Sequence, residues 1–121
     1  MRVRLPSYEA PRNEWRERMH EAILQEVETR GVVYSTEDKL EVHLRLYLPA
    51  ASLASNDVDN RLKDVLDALQ GRTGGPKKVR RLRAIIPNDR QIFRVCVEKS
   101  LPPRQSGGLG HLYVGRLRPP R

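Results

Sequence analysis

The sequence predicts a small α+β domain in which two main helices pack on a small, mostly antiparallel sheet. Three observations support this fold class. The length of 121 residues fits a single domain over residues 1–121. Hydrophobic residues make up 38% of the chain, which is enough for a core. Two segments repeat apolar residues at helical spacing, whereas three others have the alternation or composition of strands.

The first helix is predicted over residues 11–30. Its apolar side chains recur every three or four positions, and glutamate and arginine occupy the other face. Asn13 could cap the start of the helix and Gly31 its end. The apolar stripe consists of Trp15, Met19, Ala22, Ile23 and Val27. We expect this stripe to pack in the core.

Three strands are predicted besides the short first strand of a hairpin. Residues 40–48 alternate apolar and polar side chains, as in a half-buried strand. Within residues 31–48, residues 35–39 are predicted to turn between the two strands of a hairpin. Residues 91–98 form another strand, and residues 111–117 form a weaker one. The apolar face of the first strand consists of Leu40, Val42, Leu44, Leu46 and Leu48.

The second helix is predicted over residues 57–70. It follows a connection over residues 49–56 and stops at Gly71. Residues 72–83 contain six cations and no acid, so we predict a mobile basic loop that could end in a strand. Residues 118–121 are predicted to be a disordered tail. The apolar positions of the helix are Val58, Leu62, Val65, Leu66 and Leu69.

The charge balance indicates a polyanionic partner. The chain has 23 lysines and arginines against 15 acidic residues, a net charge of +8. Most of the cations are arginine, whose guanidinium binds phosphate through two parallel hydrogen bonds. A high genomic GC content would give the same arginine bias without any such function.

The chain has the composition of a soluble intracellular protein. Its one cysteine, Cys96, cannot form an internal disulfide, and we expect it to be a small core residue of its strand. The sequence contains neither an apolar run long enough to span a membrane nor the pattern of a signal peptide. We therefore expect a cytoplasmic location.

The densest group of functional side chains lies where the second helix begins. Asp57 and Asp59 stand two residues apart, and Lys63 follows Asp59 by one helical turn, about 5 to 6 Å along the same face. Carboxylate oxygens are ligands that Mg²⁺ prefers, and a lysine could neutralise a phosphate oxygen or hold a water. Acidic residues in a first turn can equally be ordinary helix caps.

Other polar residues have simpler interpretations. Asp64 and Asp67 are expected to be solvated or ion-paired helix residues, and Asp89 alone would be a turn former before a strand. The three histidines show no metal-ligand spacing. They are His20, His43 and His111.

In combination these residues resemble the RusA family of Holliday junction resolvases. In that family a helix carrying Asp-x-Asp-Asn-x-x-Lys and then Asp-Ala-Leu precedes an Asp-Asp-x-Gln-hydrophobic segment that leads into a strand. The resemblance covers about residues 12–99. The first motif stands here as Asp57-Val58-Asp59-Asn60-Arg61-Leu62-Lys63, then Asp67-Ala68-Leu69. The second stands as Asn88-Asp89-Arg90-Gln91-Ile92.

The resemblance implies a homodimeric, Mg²⁺-dependent endodeoxyribonuclease that cuts Holliday junctions or related branched DNA in recombination and repair. Mn²⁺ is an alternative ion. Asp57, Asp59 and Asp89 would be the metal-binding carboxylates, and Lys63 the catalytic lysine. The physical chemistry is consistent, since metal ions polarise phosphoryl oxygens and supply hydroxide.

Basic side chains near these motifs are the expected DNA contacts. Six uncompensated cations beside a phosphodiester site are expected to touch the backbone. Together with one cation of the motif helix, the expected set is Arg61, Arg72, Lys77, Lys78, Arg80, Arg81 and Arg83.

Two departures from the family pattern leave alternatives open. Asn88 stands where the family usually has a first aspartate, which removes one charge from the site. The basic stretch over residues 72–83 is longer than the usual link between the motifs. The alternatives are a non-catalytic basic nucleic-acid-binding protein, in which the aspartates only cap a helix, and a family member that has lost activity through Asn88.

Overall fold

Two helices cover one face of a four-stranded mixed sheet. The computed structural model describes residues 1–6, 12–48, 58–73, 80–101 and 110–117, and for residues 12, 58–60, 80 and 81 only the backbone. The helices are α1 (Arg12–Arg30) and α2 (Val58–Leu69). The predicted α+β class and both predicted helices are confirmed.

The main sheet has the strand order β1-β6-β2-β5. Strand β6 pairs antiparallel with both β1 and β2, whereas β5 pairs parallel with β2. The sheet is therefore mostly antiparallel, as predicted, with one parallel pair. Its strands are β1 (Arg2–Leu5), β2 (Leu40–Tyr47), β5 (Ile92–Ser100) and β6 (Gly110–Arg116). A separate two-stranded sheet joins β3 (Arg72–Thr73) to β4 (Arg80–Arg81).

The core lies between the helices and this sheet. The alternation of β2 places its apolar residues on the helix side and its polar residues on the opposite side, called the outer face below. Helix α1 buries its predicted apolar stripe against them. The largest fully buried side chains of this layer include Trp15, Met19, Ile23, Leu40, Leu44 and Leu112.

Both helices begin at the edge of the sheet where β2 ends, called here the Tyr47 edge. Strand β1 runs parallel to β2, because both are antiparallel to β6, so β1 also ends at this edge. The Trp15 indole at the start of α1 donates a 3.1 Å hydrogen bond to the carbonyl of Pro6. The Arg61 guanidinium in the first turns of α2 lies 5.6 Å from the centre of the Trp15 ring.

Helix α2 ends at the opposite edge, where β2 begins, called here the Leu40 edge. The Leu69 carbonyl accepts hydrogen bonds from the amides of Ile85 and Ile86, at 2.8 and 3.1 Å. The chain then enters β5 at Ile92, which is paired with Leu40. Helix α2 is thus the crossover between two parallel strands and runs antiparallel to them.

The predicted hairpin before β2 is wrong. Residues 32–39 contain no strand, and Val33 is 75% exposed. Tyr34 instead enters the core, where its hydroxyl donates a 2.9 Å hydrogen bond to the Val114 carbonyl, and burial raises the pKa of that hydroxyl. The anchored Tyr34 side chain holds the backbone around it away from β2. Strand β2 pairs with β6 and β5 instead.

Two other features differ from expectation. Strand β1 was not predicted, because its four residues are too short for a periodic signal, yet Val3 and Leu5 are buried against β6. Cys96 was expected in the core, and this expectation is wrong. Cys96 is partly exposed, because it pairs across the sheet with His43. Paired residues of neighbouring strands share a face, which here is the outer face.

The two ends of the predicted basic loop pair with each other as the antiparallel strands of a hairpin. Arg72 pairs with Arg81, and the Leu82 amide donates a 2.6 Å hydrogen bond to the Gly71 carbonyl. Residues 74–79 lie outside the described residues, as do 49–57 and the predicted tail. Gly71 has a positive φ of 74°, and a Cβ there would stand 2.3 Å from the Leu82 carbonyl oxygen.

This geometry predicts unequal effects for two glycine substitutions. Gly31 also has a positive φ, of 65°, but no atom lies within 4 Å of the position of its Cβ. Gly31→Ala should therefore cost only the backbone strain, about 1 to 2 kcal/mol. Gly71→Ala should lower the free energy of unfolding by about 1 to 3 kcal/mol more, because it also overlaps the neighbouring backbone. Urea unfolding of both variants measures the difference, and equal losses would contradict it.

Candidate functional site

The motif helix forms as expected, and the described residues include part of its candidate site. Asp57 lies outside the described residues, and Asp59 is described by its backbone alone, within the first turn of α2. Lys63 is exposed and follows Asp59 by four residues, a rise of about 6 Å along the helix. The backbone therefore places Lys63 one turn beyond Asp59, as the spacing predicts.

The next two carboxylates of α2 are bound to α1. Asp64 is fully buried and accepts hydrogen bonds from Arg16 at 2.7 Å and from Arg61 at 3.2 Å. Asp67 lies 3.4 Å from the same Arg16 guanidinium. Of the two states expected for Asp64 and Asp67, solvated or ion-paired, both residues have the ion-paired one. These two side chains join the helices.

The same ion pair changes the interpretation of Arg61, which was expected to contact DNA. Its side chain is only 13% exposed, is paired with Asp64 and lies over the Trp15 ring. A guanidinium held in this way stabilises the contact between α1 and α2. Its placement favours a structural role over a phosphate contact.

Asp89 and Asn88 lie just before β5. Residues Asp89–Gln91 form a short 3-10 helix, and the Asn88 side chain caps it by accepting a 2.9 Å hydrogen bond from the Arg90 amide. The Gln91 side chain in turn accepts from the Asn88 amide at 3.0 Å. Asn88 therefore has a structural task here, whereas the Asp89 side chain is exposed.

Gln91 fixes the position of this turn. Its side-chain amide donates to the carbonyls of Ser35 and Asp38, at 2.6 and 2.9 Å. The Ser35 amide and the Arg116 guanidinium both donate hydrogen bonds to the Asp38 carboxylate. These hydrogen bonds lower the pKa of Asp38, and the bond from the Ser35 amide has the larger effect. A network of hydrogen bonds thus holds Asp89 beside the start of β2.

One chain does not bring Asp59 and Asp89 together. Asp59 lies in the first turn of α2 at the Tyr47 edge, whereas Asp89 precedes β5 at the Leu40 edge. Helix α2 alone is about 18 Å long, and a metal ion binds oxygen ligands at about 2 Å. A metal site that includes both residues therefore needs two chains.

The basic residues of the hairpin follow the end of α2. Arg72 is exposed, and Arg83 is exposed while lying 3.3 Å from Glu28 of α1. Arg80 and Arg81 are described by their backbone in β4. Lys77 and Lys78 lie outside the described residues. The described part of the hairpin is held to α1 through a 2.7 Å contact between the His20 ring and the Arg83 carbonyl.

A polar outer face was missed as a candidate site. Histidine, tyrosine and arginine side chains from β1, β2 and β6 line an open depression of about 800 Å³ there. The alternation of β2 placed three of these side chains on one face. It could not identify the neighbouring strands that complete the face.

Comparisons with protein-family models, with curated proteins and with solved structures found no match to this chain. The described residues contain no group of three or more His, Cys, Asp or Glu side chains that could hold a metal ion, and the side chains of Asp57 and Asp59 lie outside them. Within the same residues, no helix is long and apolar enough to cross a membrane.

The buried ion pair predicts a large difference between two carboxylate substitutions on α2. Asp64→Asn leaves the Arg16 and Arg61 guanidinium groups without their buried counter-charge, so we expect a loss of about 3 to 5 kcal/mol in the free energy of unfolding. Asp67→Asn is the matched control and should cost less, because Asp67 is partly exposed and Arg16 keeps its shorter contact with Asp64. Chemical denaturation measures both. A small loss for Asp64→Asn would contradict this role.

Proposed function

We propose that this protein is a Mg²⁺-dependent, structure-selective endodeoxyribonuclease that cuts Holliday junctions or related branched DNA. The observation that carries the proposal is the division of polar groups along α2. Asp64 and Asp67 are bound to Arg16, whereas Lys63 is exposed one turn from Asp59. Lys63 is therefore open to a phosphate group, at the spacing from Asp59 that the family motif requires.

The proposed chemistry follows from the residue types. Asp57, Asp59 and Asp89 would hold the metal, Mg²⁺ or Mn²⁺, which when bound activates a water and polarises the phosphoryl oxygen. The exposed position of Asp89 fits this use, since its carboxylate is open to a ligand. The Lys63 ammonium would neutralise a phosphate oxygen and orient the scissile group.

The positions of the acids favour a homodimer. Because Asp59 and Asp89 lie at opposite edges of one sheet, a site with both needs Asp59 from one protomer and Asp89 from its partner. A two-fold dimer supplies two such sites, which matches the two symmetry-related cuts that resolve a junction. The proposed assembly is therefore a dimer with two shared metal sites.

Strand β5 is the best candidate for the dimer contact. It ends the described sheet, has nine residues, and leaves Phe93 and Val95 61% and 43% exposed. Exposed apolar edge strands pair readily with other strands. An antiparallel pair about a two-fold axis at Cys96 would place Arg94 opposite Glu98 of the partner subunit. It would also bring the Leu40 edge of one protomer to the Tyr47 edge of the other.

The basic hairpin is the proposed contact to the DNA backbone. It leaves the end of α2, on the same edge of the domain as Asp89. Its cations would bind phosphates in a sequence-independent way, which suits recognition of DNA shape. The proposed contacts are Arg72, Lys77, Lys78, Arg80, Arg81 and Arg83.

A non-catalytic nucleic-acid-binding protein is the second candidate. The capping role of Asn88 favours it, because a residue aligned with a family aspartate forms a turn here. Both candidates predict binding to DNA. Cleavage of synthetic four-way, Y-shaped and linear DNA with and without Mg²⁺ distinguishes them, because only the nuclease cuts branched DNA in a metal-dependent way.

Asp59→Asn and Asp89→Asn should each abolish cleavage, because each removes a metal ligand from both shared sites. An equal mixture of the two variants should regain cleavage, since a mixed dimer has one intact site and one doubly altered site. The product should be a nick in one strand of the junction, detected on denaturing gels. Asp67→Asn, the same change elsewhere on α2, should cut normally.

Three results would contradict these assignments. A single variant that retains substantial cleavage would exclude its metal-binding role. A mixture that stays inactive although mass spectrometry shows mixed dimers would exclude the shared site. A wild-type protein that cuts none of the DNA substrates in Mg²⁺ or Mn²⁺ would favour the binding protein.

Val95→Lys should disrupt the proposed dimer, because it places a charge at the centre of the β5 edge. Light scattering at micromolar concentration should show a dimer for the wild type and a monomer for the variant, with loss of cleavage. Val33→Lys is the matched control, because Val33 is 75% exposed and lies outside β5. A Val95→Lys protein that remains dimeric would exclude this edge as the interface.

A further inference from the structure

The outer face of the sheet combines aromatic rings with arginines. It lies opposite the helices, and its depression of about 800 Å³ is open to solvent. Its rings come from the two central strands. They are His43 and Tyr47 of β2 and His111 and Tyr113 of β6.

Strand register arranges these side chains in two neighbouring rows across the sheet. One row contains Arg2 of β1, Tyr113 and His43. The next contains Arg4, His111 and Arg45, and lies about 7 Å away because alternate residues share a face. Each row therefore has an arginine at the β1 side and a ring beside it.

The rings contact each other in pairs. The centres of the His43 and Tyr113 rings are 5.7 Å apart, and those of Tyr47 and His111 are 5.3 Å apart in an edge-to-face arrangement. These contacts join β2 to β6 across the face. The four rings thus form an aromatic surface that consists of two contacting pairs.

Gly115 leaves space for the Tyr113 ring. A Cβ at position 115 would lie 2.3 Å from the Tyr113 hydroxyl and 2.7 Å from the ring carbon that bears it. The ring therefore extends along the sheet over Gly115. Base stacking needs an accessible aromatic ring, and Tyr113 is partly exposed.

The charges of the face are unevenly placed. On the β5 side Arg45 lies 2.7 Å from Glu98, and Arg94 lies 3.2 Å from Glu41, so these charges compensate each other. On the β1 side Arg2 and Arg4 are exposed. The β1 side of the aromatic surface is therefore positive and suits a phosphate backbone.

We propose that the outer face binds an unpaired DNA strand, with bases stacked on the tyrosine and histidine rings and phosphates bound by Arg2 and Arg4. The proposal rests on the proposed nuclease function for the source of that strand, the open region of a branched substrate. A duplex fits less well, because its base faces are already stacked. A second copy of the chain also fits less well, because the chain is basic overall, with a net charge of +8.

The test measures fluorescence anisotropy of a labelled oligo(dT) of about twelve nucleotides, with a labelled hairpin duplex as comparison, in EDTA. The wild type should bind oligo(dT) more tightly than Tyr113→Leu does, by about five- to 150-fold, since one stacking platform is lost. Tyr113→Phe keeps the ring and should bind as the wild type does. Gly115→Ala should weaken binding by displacing the ring.

The phosphate contacts have a separate measurement. Replacing Arg2 and Arg4 by alanine should reduce the slope of log affinity against log salt by about 0.7 for each lost contact. Both residues are exposed, so this variant tests the face even if a tyrosine variant fails to fold. An unchanged slope would overturn the proposed phosphate contacts.

Other outcomes would overturn the proposal as a whole. These are a folded Tyr113→Leu variant with wild-type affinity for oligo(dT), and a Tyr113→Leu variant that loses as much affinity for the duplex, which the basic hairpin also binds, as for oligo(dT). The nuclease proposal fails independently, if branched DNA is not cut in Mg²⁺ or Mn²⁺. In that case ring-dependent binding of oligo(dT) would still assign the outer face to single-stranded DNA.

Discussion

The arrangement of this domain depends on one buried ion pair. Asp64 of α2 accepts hydrogen bonds from Arg16 of α1 and from Arg61 of its own helix, and is fully buried. Such a pair fixes relative position, because a buried carboxylate that loses its partners is strongly unfavourable. Together with the contacts of Trp15 with Arg61 and of Glu28 with Arg83, it holds α2 beside α1 in the same direction. The placement of the two ends of α2 at opposite edges of the sheet, and hence the separation of Asp59 from Asp89, follows from that direction.

Much of the fold could be predicted from local pattern. The 3.6-residue period gave both helices, and the two-residue period gave β2, because burial imposes these periods on sequence. Pairing between strands is not encoded in a period, so the parallel neighbour of β2 could not be identified. The failed hairpin has a tertiary cause, since Tyr34 is held by the Val114 carbonyl, 80 residues away in sequence. Strand β1 can be recognised only from its pairing with β6 in the structure.

The candidate site was predictable in part. Motif spacing located Lys63 and the Asp59 backbone on one helix, because helical geometry is regular. Spacing could not show that Arg61 is paired with Asp64, because the sequence pattern is the same whether an arginine binds a phosphate or a carboxylate. It also could not show that Asn88 caps a 3-10 helix, or that Asp89 lies at the far edge of the sheet. These properties depend on chain direction and tertiary contacts.

The turn that holds Gln91 gives the Leu40 edge a dependence on acidity. The Ser35 amide and Arg116 lower the pKa of Asp38 below its unfolded value, so the ionised carboxylate favours the folded turn. This stabilisation is present above the unfolded pKa of about 3.9 and is lost as pH falls through the lower folded pKa. The same turn supplies the two carbonyls that bind Gln91, and Gln91 follows Asp89 by two residues. Acid would therefore loosen the turn that supports Asp89.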